Sequence, residues 1–196
     1  HKIVVRRAKK QETLKILDEQ QTEYVLGDDT LVIADGEKPL AIAGIKGGVN
    51  SGITSETNTI VLESAHFVKS FIRRTSLNLR LRTDASQRFS YGLDPNLVEQ
   101  ALDRAAELIH EVAGGEILKG IVQAYPKPIV PWHVSLAREA IDSLIGEHIE
   151  DKVISDMLSA LGLEVDTTQD TLMITIPTFR TDIHTPEDII EEIARL

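Results

Sequence analysis

The stretch LVIADGEKPLAIAGIKGG, residues 31–48, decides the fold class of the first part of the chain. Residues 31–34 and 39–45 are apolar runs of strand length, and Asp35-Gly36 between them is a turn signal. Shorter apolar runs at residues 14–17 and 24–26 precede this stretch, and the β-branched residues 59–62 follow it as a further buried strand. The pattern predicts a strand-rich module.

A helix follows these strands. Asp94 is a suitable N-cap and Pro95 a suitable first helical residue. The apolar residues recur at helical spacing until Gly114-Gly115 ends the run, at Val98, Ala101, Leu102, Ala105, Leu108, Ile109 and Val112. Residues 120–124 are predicted to form one more strand. The fold class is therefore mixed α/β.

A proline-rich stretch divides the chain into two modules. Residues 125–131 hold three prolines, which can continue neither a helix nor a central strand. Residues 132–196 carry 4 Lys and Arg against 14 Asp and Glu, whereas residues 1–131 carry 17 of each sign. We therefore predict a first module at 1–124, a linker at 125–131 and an acidic second module at 132–196.

The second module has a helical pattern. Apolar residues from Leu136 to Leu144 and from Val153 to Leu161 form two helical faces, which end at Gly146 and Gly162. A hairpin around residues 167–170 and a helix after Pro186 complete a winged-helix-like arrangement. Its acidity argues against DNA as a partner, since phosphate neutralisation needs Lys and Arg.

Bulk composition narrows the class of protein further. The chain has no cysteine, no apolar stretch of membrane-spanning length and no signal peptide at its start. These features favour a cytoplasmic protein with no membrane partner.

Three segments of the first module have residue types suited to ligand binding. Gly47-Gly48 lets the backbone approach a ligand, although a tight turn explains the glycines equally well. Glu63 ends an apolar run and needs a partner or ligand if it is buried, and otherwise it faces water. Residues 83–86 are small and polar and follow a basic stretch whose arginines can contact phosphates or simply be solvated.

Acidic residues crowd the start of the last helix. Negative charge near a helix N-terminus is stabilised by the helix dipole, and this alone explains the composition. Carboxylates at this density are also what Mg²⁺ prefers, and the spacing of Asp188 with Glu191 and Glu192 puts them on one face. We keep both interpretations open. No HExxH or Ser-His-Asp pattern is present.

Taken in order, several motifs resemble the beta chain of bacterial phenylalanyl-tRNA synthetase, and the resemblance covers essentially the whole chain. They are IVVRRA (3–8), LAIAG (40–44) with Gly47-Gly48 and Ser51-Gly52, LESA (62–65), LRTDAS (81–86) with Arg88-Phe89, GLDP (92–95), PTFRTD (177–182) and EDIIEEIAR (187–195).

This resemblance implies an editing region, formed by the third and fourth beta-chain domains, followed by the fifth domain. Family members hydrolyse tyrosine wrongly esterified to phenylalanine tRNA. The editing pocket maps here onto Gly47, Glu63, Thr83 and Ala85. In this interpretation Glu63 accepts a hydrogen bond from the tyrosine phenol, Gly47 and Ala85 leave room for the ring, and Thr83 shapes the pocket.

The resemblance also implies partners and cofactors. A magnesium site shared with the alpha chain maps onto Asp182, Asp188, Glu191 and Glu192. The parent enzyme is an α2β2 tetramer that uses ATP, which this region does not bind, and aminoacylation belongs to the alpha chain. The rival interpretation is architectural: a region that scaffolds the assembly and contacts tRNA without editing.

The chain departs from the family pattern in two places. An acidic-basic pair usually precedes the Gly-Val-Asp-Pro turn, where this chain has Ser90-Tyr91. Family editing sites also use residues upstream of the segment that matches Ile3, including a histidine. His1 does not correspond to that histidine.

Overall fold

The computed structural model describes residues 2–168 and 170–196 and divides the chain into two compact units. The first comprises His1–Leu93 and Val98–Val112, and the second comprises Asp94–Leu97 and Ala113–Leu196. The described residues form antiparallel sheets and six α-helices, so the predicted mixed α/β class is confirmed. The predicted module limits at 124 and 132 stay a prediction. Among the described residues, no helix is both long and apolar enough to cross a membrane.

The first unit is built on a four-stranded antiparallel sheet with the order β1-β4-β5-β6. The strands are β1 (Val4–Arg7), β4 (Leu31–Ala34), β5 (Pro39–Ile42) and β6 (Lys46–Gly47). Strands β2 (Thr13–Lys15) and β3 (Glu23–Val25) form a separate antiparallel ribbon. The predictions at 14–17, 24–26 and 31–34 are confirmed, because each of these apolar runs contains or overlaps a strand.

Three helices complete the first unit: α1 (Lys69–Asn78), α2 (Asp84–Tyr91) and α3 (Val98–Ala113, to Val112 in this unit). Ile42 and Ile45 from the sheet side pack in one core with Phe67 and with Ile72 of α1. Phe89 of α2 meets Phe67 with the ring centroids 5.2 Å apart. Helix α3 covers the predicted apolar residues and ends before Gly114-Gly115, but it begins at Val98 and not at Pro95, because Pro95–Leu97 form a short 3-10 helix. None of the residues of α3 is buried.

In the first module one further strand prediction is correct only in part, and two are wrong. The apolar run 39–45 is interrupted after Ile42, because Gly44 adopts a φ of +65° and turns the chain into β6. Residues 59–62 form no strand, and Val61 is 81% exposed. Residues 120–124 also lack regular structure, and Gly120 has a φ of +94°. β-branched residues favour a pleated surface only where a neighbouring strand pairs with them, and the described residues offer these two segments no such partner.

The second unit surrounds a single apolar cluster. Its sheet has the antiparallel order β7-β9-β8, with β7 (Trp132–Ala137), β8 (Glu164–Thr168) and β9 (Thr171–Ile176). Helices α4 (Arg138–Ile145), α5 (Asp151–Ala160) and α6 (Pro186–Arg195) contribute the rest. Ile141, Leu158 and Ile174 are fully buried in this cluster, and Ile189 of α6 joins them.

Most predictions for the second unit are confirmed. The second helix, the hairpin and the last helix lie where the pattern places them, although residue 169 of the hairpin turn lies outside the described residues. Leu136 is the exception, because it lies in β7 and not on a helix. The signal was present in the sequence: Val134 and Leu136 are buried and alternate with exposed residues, which is the period of a strand.

Candidate functional site

Thr83 begins helix α2 and connects it to the sheet. Its hydroxyl accepts a hydrogen bond from the Ser86 backbone N–H at 3.0 Å, and the Ser86 hydroxyl accepts one from the Thr83 N–H at 2.9 Å. This capping box satisfies backbone donors that the first helical turn leaves free. The Thr83 hydroxyl also donates to the carbonyl oxygen of Ile45 at 2.8 Å. The N-terminus of α2 is thereby held beside the turn that leads into β6.

Gly47 ends strand β6 and Gly48 follows it, but their surroundings differ. A Cβ built on Gly47 meets no heavy atom within 4 Å. On Gly48 a Cβ would lie 2.7 Å from both the Leu40 carbonyl oxygen and the Leu14 side chain. Gly48 is therefore required by packing, whereas Gly47 leaves open space at the surface of the unit. Packing thus explains Gly48, whereas the approach of a ligand at Gly47 stays a prediction.

Ala85 occupies the first turn of α2, two residues after Thr83, and is half-buried. Its small side chain adds little volume to this end of the helix. The Thr83–Ile45 hydrogen bond brings the segment of Thr83 and Ala85 to the segment of Gly47. Three of the four predicted pocket residues thus belong to two adjoining segments.

Glu63 lies in the irregular stretch that leads to α1. The residue is exposed as a whole, yet burial raises the pKa of its carboxyl. Solvent therefore reaches much of the surface of Glu63, while protein atoms crowd the carboxyl group itself. No hydrogen bond or ion pair of this carboxylate occurs within the described part of the chain. Next to it, the Ser64 hydroxyl donates to the Val98 carbonyl oxygen at 2.8 Å and anchors the stretch to the start of α3.

The acidic cluster of the second unit is organised by arginines. The Arg180 guanidinium donates to Asp182 at 2.6 Å and to Glu192 at 2.9 Å, and Arg195 donates to Glu192 at 2.5 Å. Hydrogen bonds from Arg180 are the largest cause of the lowered pKa of Asp182. The Glu192 side chain is only 11% exposed, so its charge is balanced inside the fold. Sequence reasoning missed the role of Arg180, although it stands two residues before Asp182.

The other two acidic residues of the predicted set are placed differently. Asp188 accepts hydrogen bonds at 2.8 Å from the backbone N–H groups of His184 and Thr185, which lower the pKa of its carboxyl. It completes the capping box of α6 with Thr185. Glu191 is exposed on the same helix.

These contacts provide a test of the predicted magnesium site. Within the described residues, no three His, Cys, Asp or Glu side chains are grouped closely enough to hold a metal ion. Arg180 and Arg195 already supply the positive charge that neutralises Glu192. The described residues of this chain therefore do not form a complete magnesium site by themselves; the predicted shared site stays a prediction, and no chemistry is derived through it.

Comparison with known proteins identifies two domain types. Residues 1–114 match the B3/4 domain family, and residues 134–196 match the tRNA synthetase B5 domain family.

Similarity to individual proteins extends over the whole chain. The chain is 46% identical to the phenylalanine–tRNA ligase beta subunit of Syntrophus aciditrophicus, covering 100% of this chain and 24% of that relative. It is 39% identical to the corresponding subunit of Clostridium tetani, again over 100% of this chain and 24% of the relative. The chain therefore spans about a quarter of the length of these relatives.

One solved structure is similar over most of the chain. It is an N-terminal fragment of the phenylalanyl-tRNA synthetase beta subunit from Pyrococcus horikoshii, with a TM-score of 0.46 and 16% identity. The similarity covers 98% of this chain and 55% of the other. At this TM-score it adds nothing to the assignment of the fold or of the site.

Proposed function

The chain belongs to the family of phenylalanine–tRNA ligase beta subunits through its B3/4 and B5 domains, and from this membership we propose that its first unit proofreads. The substrate is tyrosine esterified to the 3′ end of phenylalanine tRNA. The reaction is hydrolysis, in which water adds to the ester carbonyl and the tRNA hydroxyl and free tyrosine leave. The observation that carries the proposal is the Thr83–Ile45 hydrogen bond, which brings the segments of Gly47, Thr83 and Ala85 together.

The physical reason for a separate site is the small difference between the two amino acids. Tyrosine differs from phenylalanine by one hydroxyl group, and an apolar pocket rejects an added hydroxyl only weakly. A pocket with a buried acceptor for that hydroxyl discriminates far better, because phenylalanine leaves the acceptor unpaired.

Glu63 is the acceptor in this proposal. Its carboxylate has no partner among the described residues, so no protein donor competes with the phenol. Burial raises its pKa, which indicates surroundings where a hydrogen bond to charge is stronger than in water. Ser64 fixes the neighbouring backbone through Val98, so the position of Glu63 does not depend on the sheet alone.

The remaining residues shape the pocket. The open space at Gly47 and the small side chain of Ala85 give room for an aromatic ring. The Thr83 hydroxyl donates to the Ile45 carbonyl oxygen and accepts from the Ser86 N–H, so Thr83 positions helix α2. The described residues contain no nucleophile paired with a base here, and we assign activation of the water to the tRNA end and the pocket together.

The partners follow from the same membership. We propose that the parent protein works with an alpha chain in an α2β2 tetramer, binds phenylalanine tRNA and acts in the cytoplasm. Aminoacylation and the use of ATP belong to other parts of that assembly. A magnesium ion shared with the alpha chain through Asp182, Asp188, Glu191 and Glu192 would require Arg180 to release Glu192 and Asp182.

An architectural role is the alternative, and one observation favours it. Helix α3 has an apolar stripe but no buried residue, and Val112 on that stripe is 86% exposed. Such a face is typical of a surface that a partner covers. In this interpretation the unit scaffolds the assembly and contacts tRNA without editing.

Two glycine substitutions in the full-length subunit, assembled with its alpha partner, distinguish these functions. Gly47→Val fills the open space of the proposed pocket, and Gly36→Val fills equally open space in the Asp35–Lys38 turn. We expect Gly47→Val to slow tyrosine release from mischarged tRNA by at least about tenfold, since small displacements of a bound substrate cost this much or more. Gly36→Val should leave the rate unchanged. Equal rates for both variants, with the assembly intact, would favour the architectural role.

A further inference from the structure

A second feature of the first unit lies along α2. A cavity of about 350 Å³ opens between α1 and α2. Its lining combines basic, polar and apolar side chains, namely Arg73, Ser76, Leu77, Arg82, Ser86, Gln87, Ser90 and Tyr91. Arg82 directly precedes Thr83, so this cavity borders the N-terminus of α2, which carries two of the four proposed pocket residues.

The two arginines of the cavity are free to bind an anion. Neither Arg73 nor Arg82 is paired with a carboxylate in the part of the chain that the structure describes, and Arg82 donates only to the Gln87 amide oxygen at 2.9 Å. By contrast, Arg74 on the same helix pairs with Asp29 at 3.0 Å. Residues 69–82 contain five basic residues and no acidic one, and Asp84, two residues after Arg82, is the first carboxylate that follows them in the sequence.

The hydroxyl groups of the cavity are oriented as acceptors. The Ser76 hydroxyl donates to the Leu81 carbonyl oxygen at 2.8 Å, and the Ser90 hydroxyl donates to that of Ser86 at 2.5 Å. With their protons used in this way, their oxygen lone pairs can accept from a ligand that donates. Ribose hydroxyls are such donors, and the 2′-hydroxyl is characteristic of RNA.

An aromatic side chain stands at the rim. Tyr91 ends α2, lines the cavity and is 80% exposed. Sites for single-stranded nucleic acid combine cations that contact phosphates with aromatic rings on which bases stack, and Tyr91 beside the two arginines supplies both groups. Inorganic phosphate would use the arginines but has no need of Tyr91.

We propose that this cavity binds the single-stranded 3′ end of tRNA, with a backbone phosphate on Arg73 and Arg82 and a base against Tyr91. The proposal rests on the proposed function, because it is the mischarged 3′ end that must reach the neighbouring pocket. The site would hold the strand while its terminal ester lies beyond Thr83.

The first test measures binding of uncharged phenylalanine tRNA to the assembled full-length enzyme across a series of salt concentrations. For a single strand, removing one arginine–phosphate interaction reduces the slope of log Kd against log salt by about 0.7. We expect this reduction for Arg73→Gln and for Arg82→Gln, together with about tenfold weaker binding. Arg80→Gln is the matched control, because Arg80 is exposed in the same basic segment but does not line the cavity. Equal effects of all three variants would indicate diffuse surface charge and overturn the proposal.

The second test separates stacking from charge. Tyr91→Ala should weaken tRNA binding by about fivefold or more, whereas Tyr91→Phe keeps the ring and should bind within about twofold of the native enzyme. If the alanine variant binds as the native enzyme does, no base stacks there and the RNA assignment fails. Binding of inorganic phosphate to the native enzyme is measured at constant ionic strength. If phosphate binds, and the arginine variants leave the slope of log Kd for tRNA against log salt unchanged, the cavity is a free-phosphate site and the proposal is also wrong.

Binding of uncharged tRNA is independent of hydrolysis, so the two proposals fail separately. A native enzyme that releases no tyrosine, but whose salt slope falls in both arginine variants, would refute proofreading and leave the RNA site standing. An active native enzyme with unchanged slopes would do the reverse. In the mischarged reaction we expect Arg82→Gln to raise KM with kcat unchanged, since its interaction is remote from the ester.

Discussion

Replacing Thr83 with valine removes one hydroxyl and keeps the shape of the side chain. Two hydrogen bonds disappear: the cap on the Ser86 N–H and the bond to the Ile45 carbonyl oxygen. Loss of a helix N-cap costs about 1 kcal/mol, and loss of a hydrogen bond to a partner in a buried segment costs about 1 kcal/mol more. Ile45 is only 3% exposed, so water does not readily replace that bond. The expected loss in free energy of unfolding is about 2 kcal/mol, or roughly 8 °C in Tm for a unit of this size.

Thermal unfolding followed by far-ultraviolet circular dichroism measures this loss. The single tryptophan, Trp132, lies in the second unit, so its fluorescence follows that unit and serves as an internal reference. Thr83→Ser is the matched control, because serine keeps the hydroxyl and is an equally good cap. If valine and serine at this position give the same Tm, the hydrogen bonds of Thr83 do not hold α2 to the sheet. The grouping of Gly47, Thr83 and Ala85 would then lose its physical basis.

Three further changes test other parts of the account. Gly48→Ala should destabilise the first unit by about 2 kcal/mol through overpacking, whereas Gly47→Ala should change the free energy of unfolding by less than about 0.5 kcal/mol. Equal losses for the two variants in urea denaturation would contradict the different surroundings of these two glycines. Glu63→Gln should raise the free energy of unfolding at neutral pH, because burial raises the folded-state pKa of this carboxyl and its ionisation therefore lowers stability as pH rises. Urea midpoints compared across pH measure this gain in stability. A gain that does not shrink in acid would exclude ionisation as its cause. Arg180→Met should lower the free energy of unfolding by about 2 kcal/mol, between the values for exposed and buried ion pairs, since it leaves Glu192 with Arg195 alone. This loss should shrink as pH falls through the lowered pKa of Asp182. A loss independent of pH in thermal scans would refute the pairing of Arg180 with Asp182.

The sequence predicts the elements that carry their own local signals. Gly146 ends α4 in a left-handed conformation, and Pro186 and Asp188 mark the start of α6, so these limits are set by neighbouring residues. Residues 59–62 have the same β-branched composition as a true strand, but pairing depends on a partner that local sequence does not specify. Helix α1 is not predicted, because its basic residues obscure a single inward face at Ile72 and Thr75.

In the candidate site, too, the sequence predicts residue types and spacing but not tertiary contacts. The resemblance identifies Gly47, Thr83 and Ala85 as one set, and the contact that joins their segments runs through the backbone oxygen of Ile45. Every residue has a backbone carbonyl oxygen, so the identity of residue 45 does not indicate this hydrogen bond, and the sequence alone does not predict it. For the acidic cluster, spacing gives the shared helix face, but not that Arg180 reaches across twelve residues to Glu192. In both cases the missing information is a tertiary contact.

The measurement that tests the central claim most directly is deacylation of Tyr-tRNA and Phe-tRNA by the assembled full-length enzyme, with native Glu63 and with Glu63→Ala. The account predicts that the native enzyme releases tyrosine far faster than phenylalanine, and that the variant loses this selectivity while the assembly stays intact. Equal release of tyrosine by both enzymes, or release by neither, would contradict the role of Glu63 and leave the architectural function as the better explanation.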